Sequence, residues 1–158
     1  MMNYLRRYSK YLLLLMILAL PFWLTFGGDF FGAGGWVTVI YIFTVAPLLI
    51  LILLSYYLLM RRRSDVKTTG LYSVLDSFML LSIYASVFLH RFFLVDYAET
   101  IQSEHSVAMS FYGNGFKATS LSLGNTFLTV SILLIVAFYI VLVYERKNSL
   151  NGLSNIKK

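Results

Sequence analysis

The sequence contains no cysteine. That excludes disulfides, thiolate nucleophiles, thiolate metal sites and palmitoylation. Charge is scarce as well: 13% of residues are Asp, Glu, Lys or Arg, against ~25% in a typical soluble domain. No P-loop, nucleophile elbow, HExxH or H-x-E deaminase pattern occurs, and no pair of carboxylates is spaced convincingly for catalysis. With only two histidines, His90 and His105, neither a metal nor a haem site has a supporting motif. No cofactor and no enzymatic activity are therefore expected. There are only two prolines, Pro21 and Pro47, and both fall inside apolar runs. No repeat of 20–50 residues is visible.

What the chain does have is apolar residues in long uninterrupted stretches, 59% of the total. The clearest is Trp36 to Met60, followed at once by Arg61, Arg62 and Arg63. As a helix it would rise ~37 Å, enough to cross a ~30 Å hydrocarbon core with some tilt. Trp36 and Tyr41 near one end, with Tyr56 and Tyr57 near the other, match the aromatic belts of a membrane span. Pro47 predicts a kink near its middle.

Three further runs follow the same logic, at residues 11–26, 71–95 and 121–144. The first is short, and with its basic flank it has a competing reading as a cleaved signal peptide. Phe22, Trp23 and Phe26 suit a cleavage site poorly. Residues 1–147 then form one transmembrane domain, and 148–158 a polar, disordered cytoplasmic tail. The glycine-rich stretch GGDFFGAGG, residues 27–35, predicts a tight reversal between the first two spans.

The net charge of +6 does not point to nucleic acid, because the basic residues flank the apolar runs. Arg6, Arg7, Lys10, Arg61, Arg62, Arg63, Lys67, Arg146, Lys147, Lys157 and Lys158 fall on one side of a four-span chain. Only Arg91 and Lys117 fall on the other. Since Lys and Arg are retained inside, the expected fold is an all-α, integral membrane four-helix bundle with both termini cytoplasmic, in the plasma membrane. Arg61, Arg62 and Arg63 are its topology anchors.

Between the third and fourth spans, Tyr97, Ile101, Ala108 and Phe111 recur at helical spacing. Asp96 and Glu99 resemble a capping box. A short amphipathic extracytoplasmic helix is expected there, broken by Gly113-Asn114-Gly115.

The third span carries the least ordinary residues, Asp76, His90 and Arg91. Asp76 and His90 differ by ~40° around a helix and so share a face, but lie ~21 Å apart along it. Asp76 is read as pairing with Lys67 or Arg61–Arg63, or alternatively as a proton- or cation-coupling carboxylate. Ser73-x3-Ser77 and Ser82-x3-Ser86 are spacings that favour close helix contact. In the fourth span Ala118, Ser122, Asn125 and Thr129 form a polar line, continued by Ile132, Val136 and Tyr139. It is expected to be a seam between helices, or else half of a polar cavity shared by His90, Arg91 and Asn125.

Two functional expectations follow. The first is a non-enzymatic membrane protein that binds another membrane or extracytoplasmic protein, as an accessory subunit or an immunity-type protein, with homo-oligomers possible. The alternative is a small transporter or channel subunit using Asp76, His90, Arg91 and Asn125 as ligand or ion pathway.

Overall fold

A computed structural model describes residues 2–31, 35–62, 70–96 and 104–156, with side chains described for 11–31, 35–59, 75–96 and 104–144. The described chain is all-helical. Its elements are α1 (Met2–Phe26), α2 (Trp36–Phe43), α3 (Val45–Arg62), α4 (Gly70–Phe93), the short α5 (Val107–Tyr112) and the long α6 (Lys117–Ile156). No strand occurs among the described residues, only an isolated antiparallel bridge between Asp96 and His105.

The core is built from one stripe of each long helix. Leu13, Met16, Leu20 and Leu24 of α1 recur every three or four residues. They meet Leu49, Leu53 and Tyr56 of α3, Leu80, Ile83 and Val87 of α4, and Phe138 and Leu142 of α6. The closest helix pairs are α4 with α6, α1 with α4, and α1 with α3, while α3 touches α6 much less. Direction follows from cross-helix bonds. Ser86 meets Ser131, His90 meets Gly124 and Phe93 meets Ser120, so α4 and α6 are antiparallel. Tyr41 meets His90 and Thr38 meets Arg91, so α2 is antiparallel to α4 as well. Tyr41 and Gly124 meet through His90, and further along the Tyr56 hydroxyl donates to the Ile135 carbonyl at 2.5 Å, so the α2–α3 segment and α6 run in parallel.

The exterior is apolar. Leu15, Leu18, Phe43, Leu48, Leu51, Leu81, Leu133 and Ile140 are all exposed. Two helical stretches, Trp36–Leu59 and Asn114–Tyr144, are long and apolar enough to cross a membrane, and Tyr11–Phe26 is a shorter apolar helix. So much outward-facing hydrocarbon on helices of this length fits a lipid solvent.

Several expectations need correction. The helix beginning at Trp36 breaks at Thr44, one turn before Pro47. Proline cannot donate to the carbonyl four residues back and clashes with it, so the damage falls at Phe43–Thr44 rather than at the ring. The α6 backbone stays helical to Ile156, so residues 148–156 are not a disordered tail. Between α4 and α6 the described helix is the six-residue α5, capped by Ser106, whose hydroxyl accepts from the Met109 amide at 3.1 Å; the Asp96–Glu99 pattern runs into residues outside those described. Helix α5 does end at Gly113, whose φ of 82° is a conformation that costs glycine little. Glu99, Tyr97, Ile101, Lys67 and Arg63 lie outside the described residues, as do the side chains of Arg61 and Arg62.

At the end of α1 a second glycine is fixed sterically. A Cβ on Gly27 would sit 2.4 Å from the Trp23 carbonyl oxygen and 2.7 Å from its indole. The bare α-carbon lets the Trp23 ring fold down to stack on Phe88 at 4.4 Å and donate its N–H to the Phe88 carbonyl at 3.1 Å. This pins α1 to α4 and shows that α1 supplies core rather than merely preceding it.

Candidate functional site

The polar groups of the long helices collect at one end, where α2 begins and α4 finishes. Asp96 lies just beyond α4 and is 2% exposed. Its carboxylate accepts the backbone amides of Val37 at 2.8 Å and Thr38 at 3.0 Å, and the Thr38 hydroxyl at 2.8 Å. Gly35, in the N-cap position of α2, offers no side-chain oxygen. Asp96 therefore caps α2 from beyond the end of α4, where a negative charge meets unpaired N–H groups and the positive end of the helix dipole.

Arg91 is fully buried. Its Nη2 donates to Thr38 Oγ1 at 2.9 Å and stands 4.0 Å from the Asp96 carboxylate. The Thr38 hydroxyl thus donates to the acid and accepts from the base, bridging a pair that barely touches. Arg91 Nε and Nη1 have no acceptor among the described residues. This cluster is structural in character: it ties the start of α2 to the end of α4.

His90, one residue earlier, makes a second tie. Its Nδ1 is 2.8 Å from the Gly124 carbonyl oxygen and its Nε2 is 2.8 Å from the Tyr41 hydroxyl. A carbonyl can only accept, so Nδ1 carries a proton; in the neutral ring Nε2 then accepts from Tyr41. Three helices are joined through one imidazole.

The contact depends on Gly124. A Cβ there would lie 3.2 Å from the Phe93 carbonyl oxygen and 3.3 Å from its carbon. The close approach continues along the α4–α6 seam. Ser120 donates to the Phe93 carbonyl at 2.8 Å and shares a hydrogen bond with Ser106 at 2.7 Å. Ser131 donates to the Ser86 hydroxyl at 3.1 Å.

The expected site residues are therefore not brought together. His90 and Arg91 are adjacent but face different partners. Asp76 is buried at the far end of α4, with the buried side chains of Leu80, Ile83 and Val87 between it and His90. Asn125 points away from all of them. The whole line Ala118, Ser122, Asn125 and Thr129 is exposed, as are Ile132, Val136 and Tyr139. Its polar part, Ser122 to Thr129, is neither the α4 seam nor part of the cavity wall that includes His90. The face that packs carries Ser120, Gly124, Ser131, Phe138 and Leu142. Thr126 and Thr129 return their hydroxyls to the Ser122 and Asn125 carbonyls at 2.9 and 3.0 Å. The Asn125 carboxamide and the Ser122 hydroxyl face outward.

The acids between α4 and α5 have separate partners. Glu104 pairs with Lys117, Asp96 is committed to α2, and no group of His, Asp and Glu suited to a metal occurs among the described residues. Thr38, Tyr41, Asp96 and Gly124 were not singled out as site residues by the sequence. The available signals were Gly124 as the one glycine within the fourth apolar run, and the Ser120-x3-Gly124 spacing. The chain matches no protein-family model, no curated protein and no solved structure.

Proposed function

We propose that this chain is a four-span plasma-membrane protein with both termini in the cytoplasm, acting without catalysis as an accessory or immunity-type subunit that docks laterally on another membrane protein. The spans are α1, α2 with α3, α4, and α6. Their alternating direction agrees with the segregation of Lys and Arg, which sets orientation. Exposed aromatics gather at both levels expected of an interface: Trp36, Phe111 and Tyr112 at one end, Tyr139 and Tyr144 at the other. The burial of Leu13, Met16, Leu20 and Leu24 supports a retained first span.

The observation that carries the docking reading is the outward line Ser122, Asn125 and Thr129. From Asn125 to Tyr144 the helix rises ~28 Å, which puts the carboxamide at the edge of a ~30 Å core and Thr129 one turn deeper. Polar side chains at such depth favour helix partners over lipid, at ~0.6–2 kcal/mol per hydrogen bond. Because α4 is already satisfied by the opposite face of α6, this line is free to bond a second protein. The transport alternative draws no comparable support, since Asp76 and His90 are separated by packed apolar side chains and Asn125 joins neither.

Affinity purification after mild detergent extraction tests the proposal. A discrete partner, or a second copy of the chain, should co-purify near one to one. Asn125→Leu should reduce its yield at least fivefold, while Leu133→Ala, on a different line of α6, should not. Recovery of monomer alone in several detergents would count against it.

A further inference from the structure

The sparse contact between α3 and α6 leaves a cleft of about 450 Å³. Leu48 and Ile52 of α3 form one wall, Leu128, Ile132 and Val136 of α6 the other, and Val87 of α4 the floor. The Tyr41–His90 hydrogen bond closes one end. The other narrows where Tyr56 reaches Ile135 and packs edge-on against Phe138 at 5.0 Å. The lips are exposed on the outside of the molecule, at Leu48, Ile132 and Val136, so the cleft opens sideways.

Its dimensions decide what it holds. Tyr41 to Ile52 rises ~16 Å and Leu128 to Val136 ~12 Å. One leaflet of hydrocarbon is ~15 Å deep. A helix ~10 Å across and that long would need ~1,200 Å³, far more than is present. A small-molecule site of this size is ordinary. Its polar lining groups are already committed within the protein. Ser131 bonds Ser86 and the Phe127 carbonyl, His90 uses both ring nitrogens, and Tyr41 is bonded to His90. An apolar occupant would strand none of them.

We infer that the α3–α6 cleft is a binding site for one long acyl chain of a membrane phospholipid, entering sideways from the leaflet on the His90 side. The inference rests on the chain lying in a bilayer but not on lateral docking, so either can fail alone.

The test is native mass spectrometry of delipidated protein in dodecyl maltoside, titrated with dipalmitoylphosphatidylcholine. A one-to-one adduct should form, and dihexanoylphosphatidylcholine, with the same headgroup, should bind at least tenfold more weakly. Ile132→Trp, which fills the cleft, should cut the adduct at least tenfold. Leu133→Trp, its outward neighbour, should leave it unchanged. Leu48→Trp repeats the block from the other wall, and circular dichroism confirms that the variants compared are folded. The site is overturned if the wild type forms no adduct, if the short-chain lipid binds equally well, or if folded cleft and outward variants behave alike.

Discussion

Asp96→Ala should destabilise the protein by ~3–5 kcal/mol, the usual cost of removing one partner from a buried ion pair. Three losses coincide in that variant. The Val37 and Thr38 amides lose their acceptor, the Thr38 hydroxyl loses its own, and Arg91 keeps its charge with Asp96 gone. Much of the cost comes from the stranded guanidinium, because Arg91 is fully buried and two of its nitrogens already lack acceptors among the described residues. Arg91→Met combined with Asp96→Ala should therefore be more stable than Asp96→Ala alone, recovering about half of the loss. Asp96→Asn should not rescue, since its NH₂ would face N–H donors. Denaturant unfolding in micelles, followed by circular dichroism, gives all three values. If Asp96→Ala were within ~1 kcal/mol of wild type, below the range for such a pair, the trans cap would not hold α2.

Gly124→Leu should be nearly as damaging, at ~2–3 kcal/mol, the upper part of the range for overpacking. The neighbours that a Cβ meets are the carbonyl oxygen and carbon of Phe93, and backbone cannot step aside by changing rotamer. The helices must separate, stretching the 2.8 Å bonds from His90 to Gly124 and from Ser120 to Phe93. Gly124→Ala should cost less, because the first Cβ contact is 3.2 Å and asks for only a small shift. The absence of native cysteine provides a direct readout. Ser86→Cys with Ser131→Cys replaces two hydroxyls 3.1 Å apart, and the pair should oxidise readily in the otherwise unchanged chain. Adding Gly124→Leu should suppress that disulfide severalfold. Equal yields would mean that α4 and α6 tolerate the side chain without parting.

The all-helical class was legible in the sequence because long apolar runs predict helices, and the helix positions follow from hydropathy and length. What escaped was the rotation of α6. The polar line through Ser122, Asn125 and Thr129 was read as a seam or cavity wall, whereas the smaller line through Ser120, Gly124 and Ser131 is the one that packs. Hydrogen-bonding capacity favours the first. Close approach of backbones decides for the second, since even a Cβ at Gly124 would meet the Phe93 carbonyl oxygen at 3.2 Å.

The contact of Asp96 with α2 was not legible for a related reason. The residues that follow it lie outside those described, but its carboxylate also caps α2, far away in sequence. That contact follows from the bare N-terminus that Gly35 gives α2, and from how α4 is placed, which no local pattern encodes. His90 and Arg91 stood out as polar residues in an apolar run, and both are buried. Their neighbours Tyr41 and Thr38 did not stand out, because a tyrosine and a threonine near a helix end are ordinary until a histidine or an arginine is brought against them.

Lateral docking through the outward face of α6 is tested most directly by site-specific photocrosslinking in intact cells. Asn125→p-benzoylphenylalanine is compared with the same substitution at Leu133. The expected result is a discrete protein adduct from position 125, to another membrane protein or to a second copy of this chain, and at least fivefold less from position 133. Lipid-only products at position 125, or identical adducts from both positions, would contradict it.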